Sequence, residues 1–386
     1  MVTNVIISQI GNSNTPVTAN ARAYIRDFDN FFKQMETRQR EAVSTIMNLA
    51  ATNIARDALL RCIETKSSLA IGVVNGALGN TETAGACAKD CKSPYEKGMI
   101  AAACGNTQDA KIYLATIAKF LKNNGATLVT EKMVEGAGNY IKPEGNITAA
   151  TMKIFHEKGS VLAAFLASID PETGALWADY LQKSGYPHRA ALLWAECGNK
   201  EYAEKFASAA IAETDKTKIN SEVYMISGIV FAKIGERKSA LSCADKIRAK
   251  PEIYNCIMAN MDGPELKARA WERGMALLES GKHPEYAFDI FASLEDAPRA
   301  VNAAMKLADE NLSYSETALL EAAMLCRKKE AELREKFKRI DNGVYDAIVL
   351  SLSNRDDELT GILISADARR FEDARKKLAK STVFSG

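Results

Sequence analysis

Few side chains in this sequence are typed and spaced to do chemistry. Cys87 and Cys91 stand one helical turn apart and Cys104 follows, so three thiols could begin a tetrahedral zinc site. A fourth ligand is missing, since no histidine lies nearby, and the three read as small apolar residues of packed helices. His156, His188 and His283 stand far apart, each without the acid partner that acid–base catalysis needs. Gly72, Gly76 and Gly79 cluster as phosphate-cradling glycines do, but no strand pattern precedes them and no Lys-Ser/Thr follows. They read as glycines of helix turns. Asp341-Asn-Gly343 lacks the later ligands of a calcium loop, and neither His-Glu-x-x-His nor Gly-x-Ser-x-Gly occurs. The acidic run Asn354-Arg-Asp-Asp-Glu358 reads as a helix start, where carboxylates complement the dipole. The basic stretch Arg369–Lys380 is interrupted by Glu372 and Asp373 and reads as a solvated helix. The expectation is a protein that is not an enzyme, with no cofactor and no metal.

The whole composition agrees with that restraint. Across 386 residues, 50 Lys+Arg offset 49 Asp+Glu to a net charge of +1, which argues against nucleic-acid binding by global charge. Aromatics at 7% and only 9 prolines point to helices and away from a β-sandwich. No apolar run is long enough to span a bilayer. The 8 cysteines include no Cys-x-x-Cys, and a chain of this size needs no disulfide staples, so free thiols in a reducing compartment are expected. The expected location is cytoplasmic. The alternative is export through an uncleaved N-terminal signal, which the uncharged, Asn/Ser/Thr-rich residues 1–18 resemble in composition.

Four segments follow from the punctuation. Residues 1–18 read as a flexible polar arm. Residues 19–66 hold apolar positions at three-to-four spacing, from Phe28, Phe31 and Phe32 through Met35, Val43 and Ile54 to Cys62, and read as one long helix or a tight hairpin. Residues 67–300 carry Gly and Pro at short intervals between Ala-rich helical stretches. Residues 301–386 read as a C-terminal helical segment. In it Glu330, Glu332 and Glu335 face cations at i+4 on a solvated helix, and Leu320, Met324, Leu333 and Phe337 form its buried side.

One spacing recurs within 67–300: a small residue, a glycine seven later, an alanine five after that, and a small or apolar residue four further on. It reads Gly72/Gly79/Ala84/Ala88, Gly98/Gly105/Ala110/Leu114, Ala191/Gly198/Ala203/Ala207 and Gly228/Gly235/Ala240/Ala244. Gly274/Gly281/Ala287/Phe291 repeats it with one insertion, and Ala178/Gly185/Ala190 echoes it. Physically, the first residue lets a neighbouring helix approach helix A. The glycine ends helix A in a left-handed conformation, and the alanine pair faces back from helix B. Such hairpins must stack to bury their apolar faces. The frame resembles the tetratricopeptide repeat, best at Tyr224, Gly228, Phe231, Ala240, Ala244 and Pro251, though the spacing between units is irregular.

That resemblance implies an all-α fold of stacked antiparallel helical hairpins, a TPR-like α-solenoid flanked by a long N-terminal helix and a C-terminal helical segment. It also implies a groove on the A helices. Carried over residue by residue, the groove would include Lys92, Tyr95, His188, Glu222, Met225, Lys233, Trp271 and Glu279. The expected function is a non-catalytic interaction scaffold that presents this groove to a protein or peptide partner. The alternative is a self-assembling structural or secretion-associated component, a homo-oligomer joined through the N-terminal helix. No nucleic acid and no membrane span are expected.

Overall fold

The computed structural model describes residues 37–137, 149–217, 220–310 and 315–338. The polar arm 1–18, the Phe28/Phe31/Phe32 cluster, Asp341–Gly343, Asn354–Glu358 and Arg369–Lys380 lie outside the described residues. Among the described residues there are 17 helices, packed in neighbouring pairs, and no strand. Two compact units are formed, Met1–Leu59 with Ala297–Val301 and Leu325–Gly386, and Leu60–Asp296 with Asn302–Met324.

In chain order the helices begin with α1 (Thr37–Ile63), α2 (Ser68–Ala77), α3 (Thr81–Asp90), α4 (Pro94–Ala103), α5 (Thr107–Asn123) and the single turn α6 (Glu131–Val134). Next come α7 (Ala149–Ala167), α8 (Pro171–Lys183), α9 (Pro187–Glu196), α10 (Lys200–Thr217), α11 (Ser221–Ile234) and α12 (Arg237–Lys246). The series ends with α13 (Pro251–Ala259), α14 (Pro264–Ser280), α15 (Pro284–Ser293), α16 (Ala297–Asp309) and α17 (Ser315–Lys338). Proline sets six of these starts, in α4, α8, α9, α13, α14 and α15, where its missing N–H costs nothing. At α4 the start is reinforced. The Ser93 hydroxyl accepts from the Tyr95 amide, and the Glu96 carboxylate accepts from the Ser93 amide.

The larger unit is built as two rows. Helices α2, α4, α7, α9, α11, α13 and α15 form an A row in which each touches the next. Helices α3, α5, α8, α10, α12 and α14 form a B row, packed mainly on the A helices before and after them. The recurrent sequence frame has the expected physical basis. Gly235 ends α11 at φ +89°, with its amide bonded to the Ala232 carbonyl and the Glu236 amide to that of Phe231. A Cβ on Gly228 would lie 2.4 Å from Ile257 Cδ1 of the next A helix and 3.1 Å from Cys243 Cβ of its own B helix. Gly72 repeats this, at 2.5 Å from Ile100 Cδ1 and 3.1 Å from Cys87 Cβ. Ala84, Ala110, Ala203, Ala240 and Ala287 are all fully buried.

The frame does not report the phase of the hairpins. Gly274 lies on α14 and Ala178 on α8, both in the B row, so these two copies span turns from B to A. The motif marks any turn at which two helices close tightly, because small residues are needed wherever helix axes approach.

In the smaller unit, α1 buries Leu49, Ala50, Ala51, Ala55 and Leu59. Arg56 of α1 pairs with Glu330 of α17 at 3.3 Å. Glu332 meets Lys328 and Lys329 on the polar side of α17.

Candidate functional site: the A-helix row

The residues expected to form a groove divide into three groups. Lys92 is exposed in the turn before α4. Trp271 and Glu279 lie on α14, in the B row and off the row that carries the others. Trp271 is half-buried and donates its indole N–H to Asp296 at 3.1 Å. The misplacement of this pair follows from the phase of the repeat frame at Gly274. Tyr95, His188, Glu222, Met225 and Lys233 all belong to A helices, with Met225 half-buried.

His188 and Glu222 come together in a polar cavity of about 270 Å³, lined also by His156, Glu157, Ser160, Leu181, Tyr186, Arg189 and Asn220. Three A helices, α7, α9 and α11, supply most of this lining. Arg189 pairs with Glu222 at 3.3 Å, and Asn220 caps α11 by accepting from the Glu222 amide at 3.0 Å. The Tyr180 hydroxyl is hydrogen-bonded to His156 Nδ1 at 2.9 Å. The Trp177 indole N–H donates to Ser160 Oγ at 3.3 Å and anchors the cavity wall. Burial holds the His156 imidazole below its ordinary value of 6.5. Burial also lowers His188, opposed by Glu222 and assisted by Arg189. Sequence reading left these histidines isolated, because the residues that bring them together lie on different helices.

Tyr95 and Lys233 face something else: the first turns of α17. Tyr95 is 7% exposed, and its hydroxyl is hydrogen-bonded to Thr317 of α17. Its phenol is pushed up to about 12, first by burial, with Glu316 and Glu96 adding to the rise. Lys158 of α7 sits 5.0 Å above the Tyr95 ring. Lys233 of α11 pairs with Glu196 of α9, and both act on the half-buried Glu321 of α17, as does Asp289 of α15. Side chains from four A helices thus converge on one short stretch of α17. Ala318, Leu319, Leu320, Ala322 and Ala323 are each 1% exposed or less. At 100° per residue they cover more than half of the helix circumference, and Thr317 and Glu321 form the remaining polar stripe. The sequence suggested a solvated helix with one buried side. Instead its first half is enclosed, and Met324, expected inside, is 40% exposed.

Of the three thiols singled out in the sequence, Cys91 is buried and Cys87 and Cys104 are partly buried. Burial raises Cys87 and Cys104, and raises Cys91 to about 11. Among the described residues no group of three potential ligands could hold a metal ion. Cys104 Sγ lies 2.8 Å from where a Gly76 Cβ would stand, and Cys197 Sγ 2.5 Å from that of Gly174, so thiols fill the space that glycines leave. No described helix is long and apolar enough to cross a membrane. Comparison with protein families, with curated proteins and with solved structures returned no match.

Proposed function

We propose that this chain is a non-catalytic interaction scaffold of the tetratricopeptide-like type, whose A-helix row receives a peptide or a helical segment of a partner protein. The observation that carries this reading is the convergence of Tyr95, Glu196, Lys233 and Asp289, from four A helices, on one helical segment. A face that already holds a helix has the shape and side chains to receive one. The cavity at His188, Arg189 and Glu222 is the open part of the same row and the place where a partner's polar groups would enter.

A photo-crosslinking residue at Glu222, introduced into the full chain in its native host, tests this. Capture of one defined partner at position 222, absent from a control at Tyr202 on the B-row helix α10, supports the scaffold. Capture should fall at least about tenfold with Arg189→Glu, the scale of a lost charge-assisted contact. Equal capture at both positions, or none at 222, would refute it.

A further inference from the structure

One indole links two cavities. The N–H of Trp177 on α8 donates to Ser160 Oγ at 3.3 Å, and Ser160 in turn donates to the His156 carbonyl at 2.7 Å. Ser160 and His156 both line the polar cavity of the A row. Trp177 also lines a second slot, of about 180 Å³, together with Ile112 and Ala115 of α5, Leu176 of α8 and Met133 of α6. With Met133 in place the indole is 1% exposed. The wall of the polar cavity is therefore backed by a slot whose lining includes the single turn α6.

That turn belongs to a weakly held segment. Between residues 124 and 137 only Val129 and Met133 are buried. The backbone hydrogen bonds of the segment close within it or on the last turn of α5, at Leu121 and Lys122, and none of them reaches α8. Two ion pairs complete its attachment, Glu131 with Lys122 of α5 and Lys132 with Glu172 of α8. The two glutamates are 86% and 71% exposed, so each pair holds little and salt screens it. A segment with two buried anchors, local backbone bonds and exposed ties opens well before the helices beneath it.

We propose that residues 124–137 are a strap that lifts off α5 and α8 as one piece, and that its release loosens the polar cavity through Trp177. When Met133 leaves, water enters the slot beside the indole, and the indole loses packing that holds its N–H on Ser160. The Ser160–His156 wall on α7 then relaxes. The seated and lifted states of the strap thus set how firmly the cavity is walled. The coupling needs only these contacts; its use, to tune capture of a partner at Glu222, rests on the scaffold reading.

Hydrogen exchange of the full chain tests both halves. Met133→Ala removes one anchor and should speed exchange at residues 126–137 at least about tenfold, the scale of a large-to-small change at a buried site. Lys132→Glu breaks a surface tie and should speed it about threefold. In both variants the amides of α5 and α8 should stay protected. The Trp177 indole N–H should exchange faster than in wild type, while that of Trp271 on α14 is unchanged. Opening of the strap only together with α5 and α8 overturns the proposal, as does a Trp177 rate that ignores strap opening in both variants. Where Met133→Ala unfolds the chain, Lys132→Glu decides. Photo-crosslinking at position 222 then separates the two readings. Capture that falls about threefold or more in both variants supports control of the partner site. Unchanged capture with faster Trp177 exchange supports the coupling and overturns that control. Absence of capture in wild type counts against the scaffold reading alone.

Discussion

Two stretches of one helix row meet opposite conditions. Around Tyr95 and Lys233 the A helices are closed over α17, with Tyr95 bonded to Thr317 and Lys233 paired with Glu196. Around His188 and Glu222 the same kind of helix ends on a polar cavity. The enclosed stretch gets its stability from apolar burial and is strained by a carboxyl. The open one holds an Arg–Glu pair and two histidines that burial disfavours as cations. Their responses to pH are opposite. Rising pH loosens the enclosed stretch, because Glu321 is raised toward 8. Falling pH loosens the open one: His156 and His188 are depressed below 6.5, so their contribution is present above that value and is lost as pH falls toward the folded pKa. A shared architecture thus does not impose a shared chemistry; the side chains at the helix ends decide it.

Substitutions can break this contrast, and the largest effect belongs to the enclosed side. Leu320→Ala removes a fully buried side chain and should cost about 3 kcal/mol in urea unfolding. A cost under about 1 kcal/mol would mean that the seat can collapse around the loss. Next is Gly159→Ala, behind the cavity, where a Cβ would stand 2.2 Å from Trp177 Cζ2. The indole is 1% exposed and sits edge-on to Tyr180 at 5.3 Å, so it has no room to swing. Overpacking of about 2 kcal/mol is expected, with a change in Trp fluorescence. Tyr95→Phe deletes the bond to Thr317 and should cost about 1 kcal/mol, with hydrogen exchange rising first at the start of α17. Smallest is Arg189→Ala, on a half-exposed ion pair, which should stay within about 0.5 kcal/mol at neutral pH. NMR titration of the His156 and His188 ring protons should give midpoints below 6.5. A midpoint above that value at His188 would show Glu222 prevailing over burial.

Local rules in the sequence were readable because they act within a turn or two. The left-handed glycine at 235 and the buried alanines at 84 and 240 follow from backbone sterics and close helix approach. Two things were not readable. The repeat frame could not tell an A-to-B turn from a B-to-A turn, since Gly274 meets Phe291 much as Gly228 meets Cys243. Trp271 and Glu279 were therefore expected in the groove although they stand in the other row. The enclosure of α17 also left no local signal. Thr317 and Glu321 give it a polar stripe like that of a surface helix, and only contacts far away in sequence convert that stripe into a buried one. The meeting of His156 with His188 in one cavity was hidden for the same reason.

The glycine–thiol packing has a practical consequence. Every one of Cys62, Cys87, Cys91, Cys104, Cys197, Cys243, Cys256 and Cys326 has a raised pKa, with burial the leading cause. Alkylating reagents attack the thiolate, so the buried Cys91, Cys243, Cys256 and Cys326 react slowly until their helix pairs open, whereas the partly exposed Cys62, Cys87, Cys104 and Cys197 react earlier. The chain carries its own set of clocks in the buried thiols, from Cys91 after α3 to Cys326 on α17. The order in which they are alkylated under dilute denaturant would record, hairpin by hairpin, where the stack first comes apart.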